Sequence, residues 1–407
     1  MNRKRLSICY AAPGHALLST AGPTRNILSL VEALSPWADV TVAFRHIRES
    51  VKAEGYQIIA IEPQADSTGS QADDVTARGI NPLTHLAYLR VLRSFARQWA
   101  DSFDVVMEKG WRLSGSLAAT FRAHGVPGAL VENDVRYWNE PVRDVRTMAK
   151  YLVHRAAQGV AGYASRHVPL VIAETDILKA MLIEQRGLSP DRVQVIGLGV
   201  DHRRFRPLDQ LGARQALDLR PDACILLYVG GMDMYHDLRP LFDAGGHLSV
   251  PDIELHVVGD GEYRPLYEAA AEQVRFPVVF HGQKPHQMIP TFIAAADLCL
   301  APYQVQAFHH QLVPFSTLKI PEYMACARPV VSVPSGHIRE LIAHQRTGFL
   351  VPNEASAWRA FLDAFPARQH LAAMGQAAAD AVASVSWEHT AAQYLEASHR
   401  LLATHQT

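Results

Sequence analysis

Two side chains near position 320 have the types and spacing that could do chemistry on an anion. Lys319 and Glu322 lie three residues apart in FSTLKIPEYMACARP, on what reads as the first turn of a helix. The apolar runs at 298–301 and 329–333 flank that helix and read as strands covered on both faces. Ser316 or Thr317 is placed to cap the helix, and Pro321 falls in its first turn, where a missing N–H costs little. A helix N-terminus presents unpaired N–H groups and the positive end of a dipole, and Lys319 adds a full charge beside it. That suits a phosphate. Glu322, about one turn in, is placed to accept hydrogen bonds from sugar hydroxyls. The local chemistry is that of holding a phosphorylated sugar.

The elements that position these groups are visible as short apolar runs alternating with helical patterns. Strands are expected at 6–11, 40–44, 57–61, 104–107, 129–132, 169–173 and 193–196, then at 224–229, 254–258, 278–280, 297–301, 329–333 and 349–351. Strands separated by helices make parallel sheets through βαβ crossovers. Thirteen strands overfill one sheet, so the expected α/β architecture is two doubly wound domains, divided in the polar stretch at 199–210. Ligands of such sheets lie beyond the carboxyl ends of the strands, and two domains facing each other make a cleft. The first strand is expected to end near Ala11, with a loop through Gly14, Ser19, Thr20, Ala21 and Gly22 leading to a helix opened by Pro23. That helix has Ile27, Leu30, Val31 and Leu34 on one face. Gly22 would let backbone approach a ligand closely; an ordinary strand-to-helix turn also accounts for it.

Composition narrows the classes further. A chain of 407 residues with 48% hydrophobic and 19% charged content has room for two or three folded domains. Its net charge of −1 gives no footprint for nucleic acid. No apolar run approaches the ~20 residues that span a bilayer. Arg3-Lys4-Arg5 before LSICYAA has the outline of a signal peptide, but Pro13-Gly14-His15 breaks the apolar stretch early, so a buried first strand is expected instead. Cys9, Cys224, Cys299 and Cys326 sit in apolar contexts without metal-ligand spacing, as buried free thiols in a reducing cytosol would.

The stretch Ser316 to Ala325 resembles the donor-site helix of family 4 glycosyltransferases, in the branch that reads S-P-L-K-x-x-E-Y-M-A. The resemblance covers nearly the whole chain. VIAETDILKAMLIEQRGLSPDRVQVIGLGVDHRRFRP is similar to the end of that family's first domain and its linker, and CILLYVGGMDMYHDLRPL to the opening of its second. The resemblance implies the GT-B fold, two doubly wound Rossmann-like domains facing a cleft. Residues 1–203 would form the acceptor-side domain and 204–385 the nucleotide-sugar domain, with 386–407 a helix returning to the first. It implies a retaining, metal-independent hexosyltransferase that needs no cofactor. Such an enzyme moves a sugar from a nucleoside-diphosphate sugar to an acceptor by front-face attack, in surface polysaccharide, glycolipid or other glycoconjugate synthesis.

The same resemblance assigns roles. Lys319, with the backbone N–H groups of Ser316, Thr317, Leu318 and Gly22, would stabilise the departing diphosphate, and Glu322 would orient the ribose. Gly230, Gly231 and His236 lie in the loop YVGGMDMYHDL. Many members there carry an arginine after the first glycine and a lysine further on; these positions are Gly231 and His236. More of the charge would then fall to Lys319, with His236 helping when protonated. The glutamate usual eight residues before Glu322 is Pro314, so contacts to the donor sugar pass to backbone or to His309 and His310 in AFHHQLVPF. Gly282, Gln283 and Lys284 would read the nucleobase edge, and Glu340 falls where members have a glutamate after a glycine turn. Glu108, Lys109, Glu132, Asn133 and Asp134 would face the cleft from the acceptor side; buried structural roles are the alternative.

Two helices have a basic face. Arg90, Arg93 and Arg97 oppose Leu89, Leu92 and Trp99, and Arg143, Arg146, Lys150 and His154 form a second group. Such faces suit anionic lipid as well as water. The expectation is a cytoplasmic protein, with peripheral contact at the inner face of the membrane as one option, acting on a glycan, lipid-linked or small-molecule acceptor. A sugar-nucleotide epimerase on the same fold, or a sugar-nucleotide-binding protein that has lost transfer, are the rivals. Gly231, His236 and Pro314 motivate the latter. Hydride transfer is disfavoured, because no strand is followed by G-x-G-x-x-G and Gly259-Asp260-Gly261 lacks the third glycine.

Overall fold

The computed structural model describes residues 5–18, 22–62, 82–135, 141–245 and 252–405, with backbone alone for 82–86 and 309. The chain forms two compact units. The first holds Met1–Gly199, Pro314–Ser316 and Trp387–Thr407; the second holds Val200–Val313 and Thr317–Ser386.

The first unit runs β1 (Leu6–Leu17), α1 (Gly22–Leu34), β2 (Ala38–Ile47), β3 (Tyr56–Ala60), α2 (Pro82–Trp99), β4 (Val105–Lys109) and α3 (Ser116–Ala123). It continues through β5 (Gly128–Glu132), α4 (Val145–His167), β6 (Leu170–Ala173), α5 (Asp176–Arg186) and β7 (Val193–Val195). Its seven strands are all parallel, in the order β3-β2-β1-β4-β5-β6-β7. The second unit runs α6 (Gln210–Ala216), β8 (Cys224–Val229), α7 (Arg239–Ala244), β9 (Ile253–Val258), α8 (Arg264–Ala271), β10 (Val278–Gly282), α9 (Ile289–Ala295) and β11 (Leu298–Ala301). It ends with α10 (Lys319–Ala325), β12 (Val330–Ser332), α11 (Ile338–Leu341), β13 (Gly348–Leu350), α12 (Ala355–Asp363) and α13 (Arg368–Val382). Its six strands are parallel in the order β10-β9-β8-β11-β12-β13. The last helix, α14 (Trp387–His405), packs on α1 in the first unit.

All thirteen strands read from the apolar runs form. They read clearly because helices cover both sheet faces: β4, β5, β9 and β11 are buried at every position. Around them pack Leu92, Phe95, Phe103 and Phe121 in the first unit and Leu241, Tyr267, Trp358 and Met374 in the second. The four cysteines are free and buried.

One strand differs from expectation. β1 does not stop at Ala11 but continues to Leu17, with a register shift between Ala12 and Ala16. Pro13 and Gly14 are therefore strand residues. A Cβ on Gly14 would lie 2.6 Å from the Cβ of Trp111, and the Tyr88 hydroxyl donates to the Pro13 carbonyl at 2.8 Å. The absence of a side chain at Gly14 makes room for Trp111. Ser19, Thr20 and Ala21, expected in the loop beyond, lie outside the described residues.

Candidate functional site

Each sheet reverses its winding once, between β1 and β4 in the first unit and between β8 and β11 in the second. Ligands of doubly wound sheets lie beyond the carboxyl ends of the strands flanking the reversal. In the second unit the loop after β8 carries Gly230, Gly231 and His236, and the segment after β11 leads to Lys319 and Glu322. The topology thus brings both stretches to the place where this architecture binds ligands.

Lys319 is held in an aromatic cage. Its Nζ lies 4.6 Å from the ring centroid of Tyr228 and 5.7 Å from that of Tyr303, and donates to the Tyr228 hydroxyl at 3.4 Å. Tyr228 in turn donates to the Gly231 carbonyl at 2.5 Å. Tyr323 binds both backbone groups of Val229, at 2.9 and 3.2 Å, tying α10 to the end of β8. Desolvation pulls the Lys319 ammonium down to about 7, although the carboxylates of Asp233 and Glu322 oppose the shift. A diphosphate arriving there would supply the missing counter-charge and hold the proton on.

Neither Ser316 nor Thr317 caps α10. Leu318 occupies the N-cap position, and its side chain makes no capping bond. The Thr317 hydroxyl instead accepts from Tyr303 at 2.7 Å. In the first unit, Ser316 gives its N–H to Glu174, and Thr175 donates its hydroxyl to the Pro314 carbonyl. Glu322 is the acidic residue of the first turn of α10, as expected.

Glycines bring the neighbouring loops within reach of each other. Gly230 has φ +152°, and a Cβ on it would fall 2.5 Å from Lys319 Nζ. Gly259, φ +132°, approaches so closely that its Cβ would lie 2.0 Å from the Gly230 carbonyl oxygen. Gly230 N–H donates to Val258 at 3.0 Å, and Gly259 N–H to Gly282 at 2.9 Å. The loops after β8, β9 and β10 are therefore bonded side by side, with Gln283 exposed and Lys284 partly buried at the far end. Gly259-Asp260-Gly261 thus serves loop packing. Gly231 is exposed and meets only Asp233 Oδ2, at 3.4 Å from where its Cβ would be.

His236 is paired with Asp233 in the loop after β8. Burial and the nearby Lys319 push the ring below its ordinary value, against the pull of Asp233. Its Nδ1 is 2.9 Å from Asp233 Oδ1, and the Tyr303 ring lies 5.0 Å away. Burial works against ionisation of Asp233, but His236 and the Tyr235 N–H hold its carboxyl below the usual range. Elsewhere, Glu340 pairs with His337 at 2.7 Å, His310 is exposed with φ +53°, and only the backbone of His309 is described.

In the first unit the acceptor-side residues separate into two groups. Glu108 is fully buried and accepts from Trp111 Nε1 at 2.6 Å, Gly115 N–H at 3.0 Å and Ala118 N–H at 2.8 Å. It anchors the start of α3 and does not face outward as the resemblance implies. Burial raises it to about 7 against those three donors. Glu108→Ala would leave the donors buried without a partner. We expect a loss of about 3–5 kcal/mol, read as a lower urea midpoint at unchanged slope. Lys109 is also buried, 3.9 Å from Glu174, which burial lifts to about 7 while Lys109 and the Ser316 N–H oppose the rise. Gly22 begins α1, exposed, with open space where a side chain would go.

Glu132, Asn133 and Asp134 line a polar pocket in the first unit beside Arg112, His154 and Arg186. Arg186 Nη1 donates to Glu132 and to Ser165 Oγ, the latter at 2.9 Å. Arg112 and Arg186 were missed from sequence, as were the caging tyrosines, and His154, read there with the basic face of Arg143, Arg146 and Lys150, lines this pocket instead. For Tyr228 and Tyr303 the available signal was an aromatic at or just beyond the carboxyl end of an apolar run.

The family model for glycosyl transferases group 1 matches residues 223–365. The D-inositol 3-phosphate glycosyltransferase of Nocardia farcinica is 30% identical over 330 residues, covering 75% of this chain and 68% of that protein. The chain belongs to the group 1 glycosyltransferases. A second relative, D-inositol 3-phosphate glycosyltransferase 2 of Catenulispora acidiphila, is 31% identical over 240 residues, 54% of each chain. The structure of this glycosyltransferase is similar to sucrose-phosphate synthase from Thermosynechococcus elongatus, with a TM-score of 0.76 and 20% identity over 98% of this chain and 100% of that one. It is also similar to Anabaena HepE in complex with UDP-glucose, with a TM-score of 0.71 and 17% identity over 96% of this chain and 100% of the other. The glycosyltransferase has the GT-B fold of two Rossmann-like domains, and it is an enzyme that transfers a sugar.

Proposed function

We propose that this enzyme takes its sugar from a nucleoside-diphosphate sugar whose diphosphate lies against Lys319, and passes it to an acceptor hydroxyl with retention of configuration and without a metal. The observation that carries the reading is Lys319 itself, a desolvated ammonium held by Tyr228 and Tyr303 beyond the reversal in the second sheet. A buried cation without a strong counter-ion is costly in the empty enzyme, and an anionic substrate relieves that cost. HepE, solved with UDP and with UDP-glucose, supports a nucleotide-sugar donor.

In this reading Glu322 binds the ribose, and Gly282, Gln283 and Lys284 border the base. The bond from the anomeric carbon to the diphosphate breaks, and the acceptor oxygen bonds that carbon on the same face. The acceptor's proton passes to the departing diphosphate, whose growing charge Lys319 and nearby N–H groups stabilise. Placement in the S-P-L-K-x-x-E-Y-M-A branch rests on the α10 sequence alone. The acceptor, whether glycan, lipid-linked or small molecule, would use the pocket of Glu132, Asn133 and Asp134, with a role in surface polysaccharide, glycolipid or other glycoconjugate synthesis and peripheral contact with an anionic membrane.

A second reading, sugar-nucleotide binding without transfer, draws on Gly231 and Pro314, where neither a cation nor a carboxylate is present. The test is a melting-temperature screen against UDP, GDP and TDP, followed by incubation of the matching labelled sugar nucleotide with cell-derived acceptors in excess EDTA. A nucleotide that raises the melting temperature and a label that moves to acceptor support the proposal. Binding with no transfer to any acceptor favours the second reading, and a donor altered without acceptor indicates an epimerase.

A further inference from the structure

We infer that the outward face of α4 docks the protein on an anionic lipid bilayer, next to the acceptor-side pocket that the inward face of the same helix walls. A helix on a soluble protein normally turns its apolar residues inward. In α4 the order is reversed. Its inward face is small and polar, with His154, Gln158 and Ala161 lining the pocket of Glu132 and Asn133. Its outward face carries Val145, Met148, Leu152, Val160 and Tyr163, with exposures reaching 87% at Val145, 58% at Leu152 and 62% at Tyr163. Steps of three and four residues through Val145, Met148, Leu152, Ala156, Gly159 and Tyr163 place them in one stripe along the helix.

The charges beside this stripe have one sign. From Val145 to His167 there is no Asp or Glu, while Arg146, Lys150, Arg155 and Arg166 are all exposed. The carboxylate at its start, Asp144, accepts from the Thr147 N–H at 2.7 Å as the helix cap. An apolar stripe flanked only by cations complements anionic headgroups above acyl chains. The helix has 23 residues, and among the described residues no helix is long and apolar enough to cross a membrane, so α4 would lie in the interface plane. The other basic helix, α2, shows the ordinary arrangement: Arg90, Arg93 and Arg97 face water while Leu92, Phe95 and Ala96 are buried. The structure thus separates two helices that look alike in sequence.

Naming the acceptor as membrane-borne rests on the transfer reading above; docking itself does not. The test is co-sedimentation of the full chain with vesicles of phosphatidylcholine alone and with about one-third phosphatidylglycerol. We expect binding to the anionic vesicles only, weakened by salt. Val145→Ser/Leu152→Ser and Arg146→Gln/Arg155→Gln should each weaken it at least ~10-fold with an unchanged melting temperature. All four side chains are exposed, so either variant suffices if the other fails to fold. Absence of binding, equal binding to neutral vesicles, or binding that survives both variants would overturn the inference. So would a concentration-dependent dimer that Val145→Ser/Leu152→Ser dissolves, which would give the stripe to a second copy of the chain. The nucleotide melting-temperature screen needs no lipid, so failure here leaves the donor reading intact.

Discussion

Lys319→Ala is expected to lower sugar transfer at least ~10²-fold, roughly the loss of one preorganised contact to charge developing in the transition state. Glu322→Ala should fall by a similar factor, with more of the loss in donor affinity. Near-normal turnover by both purified variants would remove the assignment. Lys319→Ala also has a consequence for stability that a purely structural lysine would not share. Folding lowers the ammonium from an ordinary value near 10.5 to about 7. Between those values the unfolded chain binds more protons than the folded one, so this group makes stability rise with pH across that window. Below about 7 the lysine is charged in both states and its desolvation cost is fully felt. The variant should therefore melt higher than the parent near neutral pH while losing transfer, and the difference should shrink towards about pH 10. A variant that melts lower throughout would mean that the cage needs its lysine for packing.

The second large effect belongs to Gly230. A methyl at this position would fall 2.5 Å from Lys319 Nζ and 3.1 Å from the Tyr228 hydroxyl, on a backbone at φ +152°. Lys319 is the end of a flexible chain and would give way first, leaving the cage. Gly230→Ala is expected to lose transfer by about the factor of Lys319→Ala, with a stability cost of about 1–3 kcal/mol from the strained backbone. Activity and melting temperature of the purified variant check this. Full activity would mean that the lysine works from another position.

The strands could be read from sequence because burial on both faces writes them as unbroken apolar runs. The continuation of β1 could not, because Pro13-Gly14-His15 looks like a break until Trp111, distant in the chain, is seen to need the space at Gly14. The chemical groups at 319 and 322 were legible from type and spacing. Their surroundings were not: a tyrosine at the end of an apolar run looks like core, and only the fold shows Tyr228 and Tyr303 closing on the same ammonium. Thr317 read as a cap because hydroxyls favour that role, but Tyr303 claims the hydroxyl. Glu108 and Glu132 are indistinguishable in sequence, each following an apolar run; partners from other segments send one to the base of α3 and the other to a pocket wall. The basic residues of α4 were visible, but the apolar stripe that runs outward beside them shows only once the helix is seen packed on α3 and α5.

The central claim is that a nucleoside diphosphate lies against Lys319 and restores its proton. Titration calorimetry at about pH 8, in two buffers of different ionisation enthalpy, measures affinity and proton uptake together. The nucleotide would be the one selected by melting temperature. The parent enzyme should take up close to one proton per site, and Lys319→Ala should take up almost none while binding about 10²-fold more weakly. Equal affinity and equal proton uptake in the two proteins would contradict the account.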